Sequence, residues 1–112
     1  MANTIKLIVY PVNDLEAAKT LFSKFLGLEP YADAPYYVGY RPGDIEVGLD
    51  PNGHDLVAYV DVADIKAYLD DLVSAGATLL SEPKEVGGGL LVAQVKDSNG
   101  NVLGLRQSVE ED

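Results

Sequence analysis

Apolar and polar positions along the chain alternate between two rhythms, and the same succession occurs twice. "TIKLIVY" is a short β-branched and apolar run stopped by Pro11, which predicts a strand buried on both faces. Asn13 and Glu16 have the spacing of a capping box, and Leu15, Ala18, Phe22 and Phe25 then recur at helical intervals up to Gly27, placed for a left-handed C-cap. Three strand-like pieces follow, "GLEPYA", "PYYVGYR" and "DIEVGLD", divided by Pro35 and by a Pro42-Gly43 turn. After the tight connection "PNGHD" the pattern restarts. "DLVAYVDV" predicts a strand, and Ile65, Tyr68, Leu69 and Leu72 an amphipathic helix closed by Gly76. "ATLLSE", "LLVAQVK" and "NVLGLRQ" predict three more strands, with turns at "VGGG" and Asn99-Gly100. The polar tail "SVEED" is expected to fray.

Two β-α-β-β-β halves make an internal repeat. "VNDLEA" from Val12 and "VADIKA" from Val62 match at an offset of 50 residues, and "GDIEVGL" resembles "GNVLGL". Gly48 and Gly104 thereby occupy equivalent places, each in a strand interior, where glycine weakens the strand and leaves nothing to pack.

The order strand, then "V-x-D-[LI]-x-A" opening a helix, then a closing "D-x-N-G-N-x-L-x-L-x-Q", resembles the vicinal oxygen chelate superfamily, which includes glyoxalases, bleomycin-resistance proteins and extradiol dioxygenases. The resemblance runs from Ile5 to Gln107. It implies an α+β fold in one domain, residues 1–112, whose two βαβββ modules (about 3–51 and 54–108) curl a mixed sheet into a cup with the helices packed outside. It also implies a homodimer. Catalytic members hold a divalent metal in the cup with four side chains, one from the first and one from the last strand of each module. Carried onto this sequence, those positions are Leu7, Gly48, Val57 and Gly104, none of which has a side chain able to bind a metal. No metal and no cofactor are therefore expected.

Strand alternation gives an expected lining for the cup. Beside Leu7, Gly48, Val57 and Gly104 it takes in Ile5, Val9, Glu46, Asp55, Tyr59, Val102 and Arg106. Pairing Arg41 with Asp44 across the Pro42-Gly43 turn places Tyr37 opposite Gly48 and Arg41 near Glu46. The two glycines either leave volume for a ligand or make room for Tyr37 and its like. Glu46 and Arg106 read as a general acid/base pair, a buried ion pair, or a means of orienting a polar ligand group. Tyr36, Tyr37 and Tyr40 could stack on a flat ligand or serve as ordinary sheet residues. His54 reads as solvated in its turn, Gly87–Gly89 as a hairpin turn without the lysine of a phosphate loop, and Asp70-Asp71 as a solvated helix face.

Composition narrows the function. A formal net charge of −10 disfavours nucleic acid and anionic membrane as partners. Cysteine is absent, which removes disulfides and thiolate chemistry, and the N-terminal apolar run is too short for a signal peptide or membrane span, pointing to a cytoplasmic setting. The expected ligand-binding residues are Leu7, Val9, Tyr37, Glu46, Gly48, Val57, Tyr59, Gly104 and Arg106. The expected function is metal-independent binding of an amphipathic or aromatic small molecule, as in the bleomycin-resistance type. A metal-independent lyase- or isomerase-like enzyme, or a dimeric interaction module with a filled cup, are the alternatives.

Overall fold

Asp14 and Asp64, 50 residues apart, each accept a hydrogen bond at 3.1 Å from the backbone N–H three residues on, Ala17 and Ala67. These two N-caps start the only two helices among the described residues of the computed structural model, 3–108. The cap is thus Asp14 rather than Asn13. Its extended backbone and short carboxylate meet the requirements of the position, and the same holds for its repeat partner Asp64. The tail "SVEED" expected to fray begins at Ser108, and its remaining residues, 109–112, lie outside the described range.

The elements run β1 (Ile5–Pro11), α1 (Leu15–Leu26), β2 (Ala32–Ala34), β3 (Tyr37–Tyr40), β4 (Glu46–Asp50), β5 (Val57–Asp61), α2 (Ile65–Ser74), β6 (Thr78–Glu85), β7 (Leu91–Lys96) and β8 (Val102–Gln107). The fold is α+β, built from the expected two βαβββ halves. By compactness the chain divides into one unit of Lys6–Val57 and a second from Ala58 onward, which also takes in Ile5.

In the first unit the strands lie in the order β2-β3-β4-β1. β1 and β4 are parallel, with Leu7 beside Glu46 and Val9 beside Gly48, while β3 is antiparallel to both β4 and β2. Val38, Tyr40, Val47 and Leu49 face α1 and pack with Leu15, Ala18, Phe22 and Leu26. Tyr40 is fully buried, donates to the Lys19 carbonyl at 3.1 Å and lies 3.0 Å from the Ser23 hydroxyl. It belongs to the core. Phe25 leaves the expected stripe and is 73% exposed, because Leu26 takes the next core position. Gly27 closes the helix in the left-handed region at φ 73°. The second strand begins at Ala32, later than "GLEPYA" suggested. Pro30, which has no N–H to give a ladder, lies ahead of it, and Tyr31 N–H bonds to the Gly39 carbonyl at the strand's entry.

In the second unit the order is β5-β8-β7-β6, with β7 antiparallel to β8 and β6. Ile65 and Leu69 of α2 pack on Ala93, Val95 and Leu105. Gln107, the last residue of the closing motif, accepts the Ile65 N–H at 2.7 Å. This satisfies one of the donors that a helix N-terminus leaves without an intrahelical partner. The strand predicted over "ATLLSE" continues to Glu85. Its pairing with β7 shifts register twice, the second time across Pro83, which an edge strand tolerates. β5 starts at Val57, so Asp55 lies in the preceding loop, exposed, and not in a strand row.

Candidate functional site

Within each unit one sheet face is taken by the helix, so the residues singled out from alternation lie on the other. In the first unit Leu7 and Val9 share that face with Glu46 and Gly48 through the β1–β4 register. The β3–β4 register places Gly39 opposite Gly48 and Val38 opposite Leu49. The expected pairing is thereby shifted by two residues, because the connection from Tyr40 to its partner Val47 is longer than a tight two-residue Pro-Gly turn allows. An even shift keeps every side chain on its expected face. Tyr37 is consequently the diagonal neighbour of Gly48, and its ring covers that glycine closely. A methyl group at position 48 would overlap the Tyr37 phenol.

Three side chains converge above Gly39. Glu46 Oε2 accepts hydrogen bonds from the hydroxyls of Tyr37 at 2.6 Å and Tyr31 at 2.7 Å. A Cβ at position 39 would come within 3.0 Å of Glu46, Tyr31 and Tyr37 alike. Absence of a side chain at residue 39 is therefore what lets the carboxylate meet both phenols. The Glu46 side chain is 16% exposed. Arg41 completes the group from outside. Its guanidinium lies 4.0 Å from the centroid of the Tyr31 ring, and its Nε is 3.9 Å from Glu46 Oε1. Partial burial, followed by the bond to Glu46, raises the Tyr31 phenol above its ordinary pKa.

In the second unit the corresponding face carries Tyr59, Asp61, Gly104, Arg106 and Gln94. The Tyr59 ring lies over Gly104, where a methyl group would overlap it, and the Tyr59 hydroxyl accepts from Gln94 Nε2 at 2.7 Å. Gln94 is paired directly with Gly104 across the β7–β8 ladder. Arg106 donates from Nε to Asp61 at 2.9 Å. Val102 is buried, 6% exposed, as is Val57, the last residue of the first unit, also 6% exposed.

Of the two readings of the paired glycines, the structure shows the second: both make room for a tyrosine ring. Glu46 and Arg106 each take partners from their own unit, Glu46 from Tyr31, Tyr37 and Arg41, and Arg106 from Asp61. Tyr36 is 70% exposed, and His54, Asp70 and Asp71 are exposed as expected. Sequence reasoning missed Tyr31 and Gly39. The usable signal was a third strand-interior glycine in "YVGYR", facing Gly48.

The donor set at Leu7, Gly48, Val57 and Gly104 does not fit a divalent metal, since two of the four positions are aliphatic and the other two are glycines roofed by tyrosine. Among the described residues no three His, Asp or Glu side chains gather in a way that could hold an ion. Two surface grooves lie elsewhere. One of about 880 Å³ is lined by Lys19, Ser23, Lys24, Leu28 and Asp33, and one of about 450 Å³ by Leu69, Val73, Leu79 and Pro83. In the first, Lys19 is held by Asp33 at 3.2 Å, which raises its pKa.

The duplicated βαβββ architecture defines the class, and comparison with known proteins identifies the family. Residues 4–105 match the Glyoxalase/Bleomycin resistance protein/Dioxygenase superfamily, and the chain belongs to it. Among solved structures, a hypothetical protein of Bacillus halodurans C-125 superposes with a TM-score of 0.78 at 15% identity, covering 100% of this chain and 99% of that one. A glyoxalase/bleomycin resistance protein/dioxygenase superfamily member from Vibrio splendidus 12B01 gives 0.71 at 19% identity, covering 95% and 100%. A variant of Streptomyces coelicolor methylmalonyl-CoA epimerase in complex with 2-nitronate-propionyl-CoA gives 0.70 at 18% identity, covering 97% and 100%. At these identities the likeness is one of fold. No curated protein sequence matches significantly. No helix among the described residues is long and apolar enough to cross a membrane.

Proposed function

We propose that the protein is a metal-independent small-molecule-binding member of the superfamily, and that the Glu46 group is its polar anchor. The observation that carries this reading is the convergence of Tyr31, Tyr37 and Glu46 over Gly39, on the sheet face that α1 leaves uncovered. Phenol rings offer flat apolar surface, and a fixed carboxylate orients a polar group, which together suit an amphipathic or aromatic compound. The aliphatic row of Leu7 and Val9 runs beside Glu46 and Gly48 in the same sheet. A net charge of −10 supports a partner other than nucleic acid or an anionic membrane. A thermal-shift screen against amphipathic aromatic compounds tests the reading, because a ligand that binds only the native state raises its apparent stability. Stabilisation that disappears in Glu46→Ala is the expected result. A screen in which no compound shifts the transition would overturn it.

A second reading, a homodimeric interaction module whose sheet faces are filled by its own side chains, is favoured by the Tyr37 and Tyr59 rings over Gly48 and Gly104. Self-association is part of both readings. The exposed Leu21 and Phe25 of α1 and the long edge strand β6 offer surface for it. Light scattering over a concentration series is expected to give twice the monomer mass, and a monomer at every concentration would exclude the dimer.

A further inference from the structure

We infer that the Glu46 group takes a planar nitrogen cation, a guanidinium or amidinium carried on an apolar body, and that Arg41 occupies this place in the ligand-free protein as an internal stand-in. The inference rests on the binding reading above and gives its ligand a chemical class. Glu46 Oε2 already accepts from two hydroxyls, whereas Oε1 faces Arg41 Nε at 3.9 Å, a separation beyond hydrogen-bond length. The Arg41 side chain is 63% exposed, and its guanidinium stacks 4.0 Å from the Tyr31 centroid. A cation over an aromatic face beside a carboxylate is thus present; Arg41 touches the Tyr31 ring and hydroxyl and Glu46 from a mostly exposed side chain, surface contacts weak enough for another cation to replace. The hydroxyls of Tyr31 and Tyr37 are both given to Glu46, so an anionic ligand would depend on the Arg41 guanidinium, beside a Glu46 carboxylate that repels it. The net charge of −10 also raises the local concentration of cations and repels anions. Gly39 makes the geometry a built one, since a Cβ at 39 would stand 3.0 Å from each of the three side chains that form it.

If Arg41 competes for the place, removing it must strengthen binding of an external cation in proportion to the time Arg41 spends there, roughly two- to fivefold for an exposed stack. Titration of the whole protein with benzamidinium, followed by NMR chemical shifts, tests this, with neutral benzamide and anionic benzoate as controls of the same shape. Arg41→Ala is expected to bind benzamidinium more tightly than wild type. Glu46→Gln in that background is expected to lose most of the gain, and the two controls should bind neither protein. Equal or weaker benzamidinium binding by Arg41→Ala would overturn the competition. Equal binding of benzamide would overturn the charge requirement while leaving the small-molecule reading intact. Should Glu46→Gln disturb the cluster, Tyr31→Leu supplies an independent arm: unchanged benzamidinium binding without the ring would also overturn the inference. The wider binding reading fails separately, when no compound of any charge shifts the thermal transition.

Discussion

The Tyr59 ring fills the space that a side chain at Gly104 would need, and its hydroxyl is fixed by Gln94, the residue paired with that glycine. In the first unit the same service is done for Gly48 by Tyr37, whose hydroxyl is fixed by Glu46. The two rings nevertheless come from different directions. Tyr59 lies on β5, the first strand of its half, and Tyr37 on β3, the third strand of its half. Val9, the repeat counterpart of Tyr59, sits beside Gly48 without a ring. Both halves thus carry the hole, and a different element fills it in each.

Gly104→Leu is therefore expected to destabilise the protein by about 1–3 kcal/mol, the usual result of overpacking. In the Tyr59→Ala background the same substitution should be less costly, because the ring it collides with is gone. The coupling expected for such contacting residues is about 0.5–3 kcal/mol. Urea denaturation of the four proteins of the cycle checks this, and additive losses would show that ring and glycine do not share the space.

Gln107→Ala removes the acceptor of the Ile65 N–H, a partly buried bond of 2.7 Å at the start of α2. The expected loss is about 1–2 kcal/mol, since the donor is left without its partner. Hydrogen exchange at Ile65 should quicken more than at Leu69, and unchanged exchange at Ile65 would exclude the capping role.

The Tyr31 phenol has its pKa raised, first by burial and then by its bond to Glu46. Folding therefore favours the protonated phenol. The stability this contributes is complete below the unfolded value near 10 and is lost as pH rises through the higher folded value. The stability difference between wild type and Tyr31→Phe is expected to narrow as pH rises above the unfolded value near 10. A difference that stays constant would separate the hydroxyl from the Glu46 group.

With Leu7, Gly48, Val57 and Gly104 at the four positions, protein purified without chelator is expected to carry no stoichiometric zinc, nickel, manganese or iron. Elemental analysis measures this, and one ion per chain would overturn the assignment of those positions.

Much of the fold was legible because its signals are local. Both helix starts were legible to within a residue, the first cap falling on Asp14 of "VNDLEA" rather than on Asn13, and Gly27 ends a helix because only glycine adopts φ 73° without cost. Faces were legible as well, since a two-residue slip in the β3–β4 loop returns each side chain to its own side. The Glu46 group was legible only in part. Its carboxylate and Tyr37 follow from alternation. Tyr31 precedes the strand that carries its neighbours, and its approach to Glu46 depends on a chain path that no periodicity encodes. Whether a glycine leaves space or lends it to a neighbour is likewise a matter of side chains distant in sequence, 45 residues in the case of Tyr59 and Gly104.

The roofed glycine also imposes an order on how this chain can change. A histidine or glutamate introduced at position 104 meets the Tyr59 ring before it can meet anything else, and the overlap leaves it no unstrained rotamer. Loss of the ring first removes the acceptor that Gln94 uses and opens a void beside the strand. Placing a side chain at 104 therefore crosses a less stable intermediate whichever residue is changed first, so the residue at one position restricts which substitutions are accessible at the other.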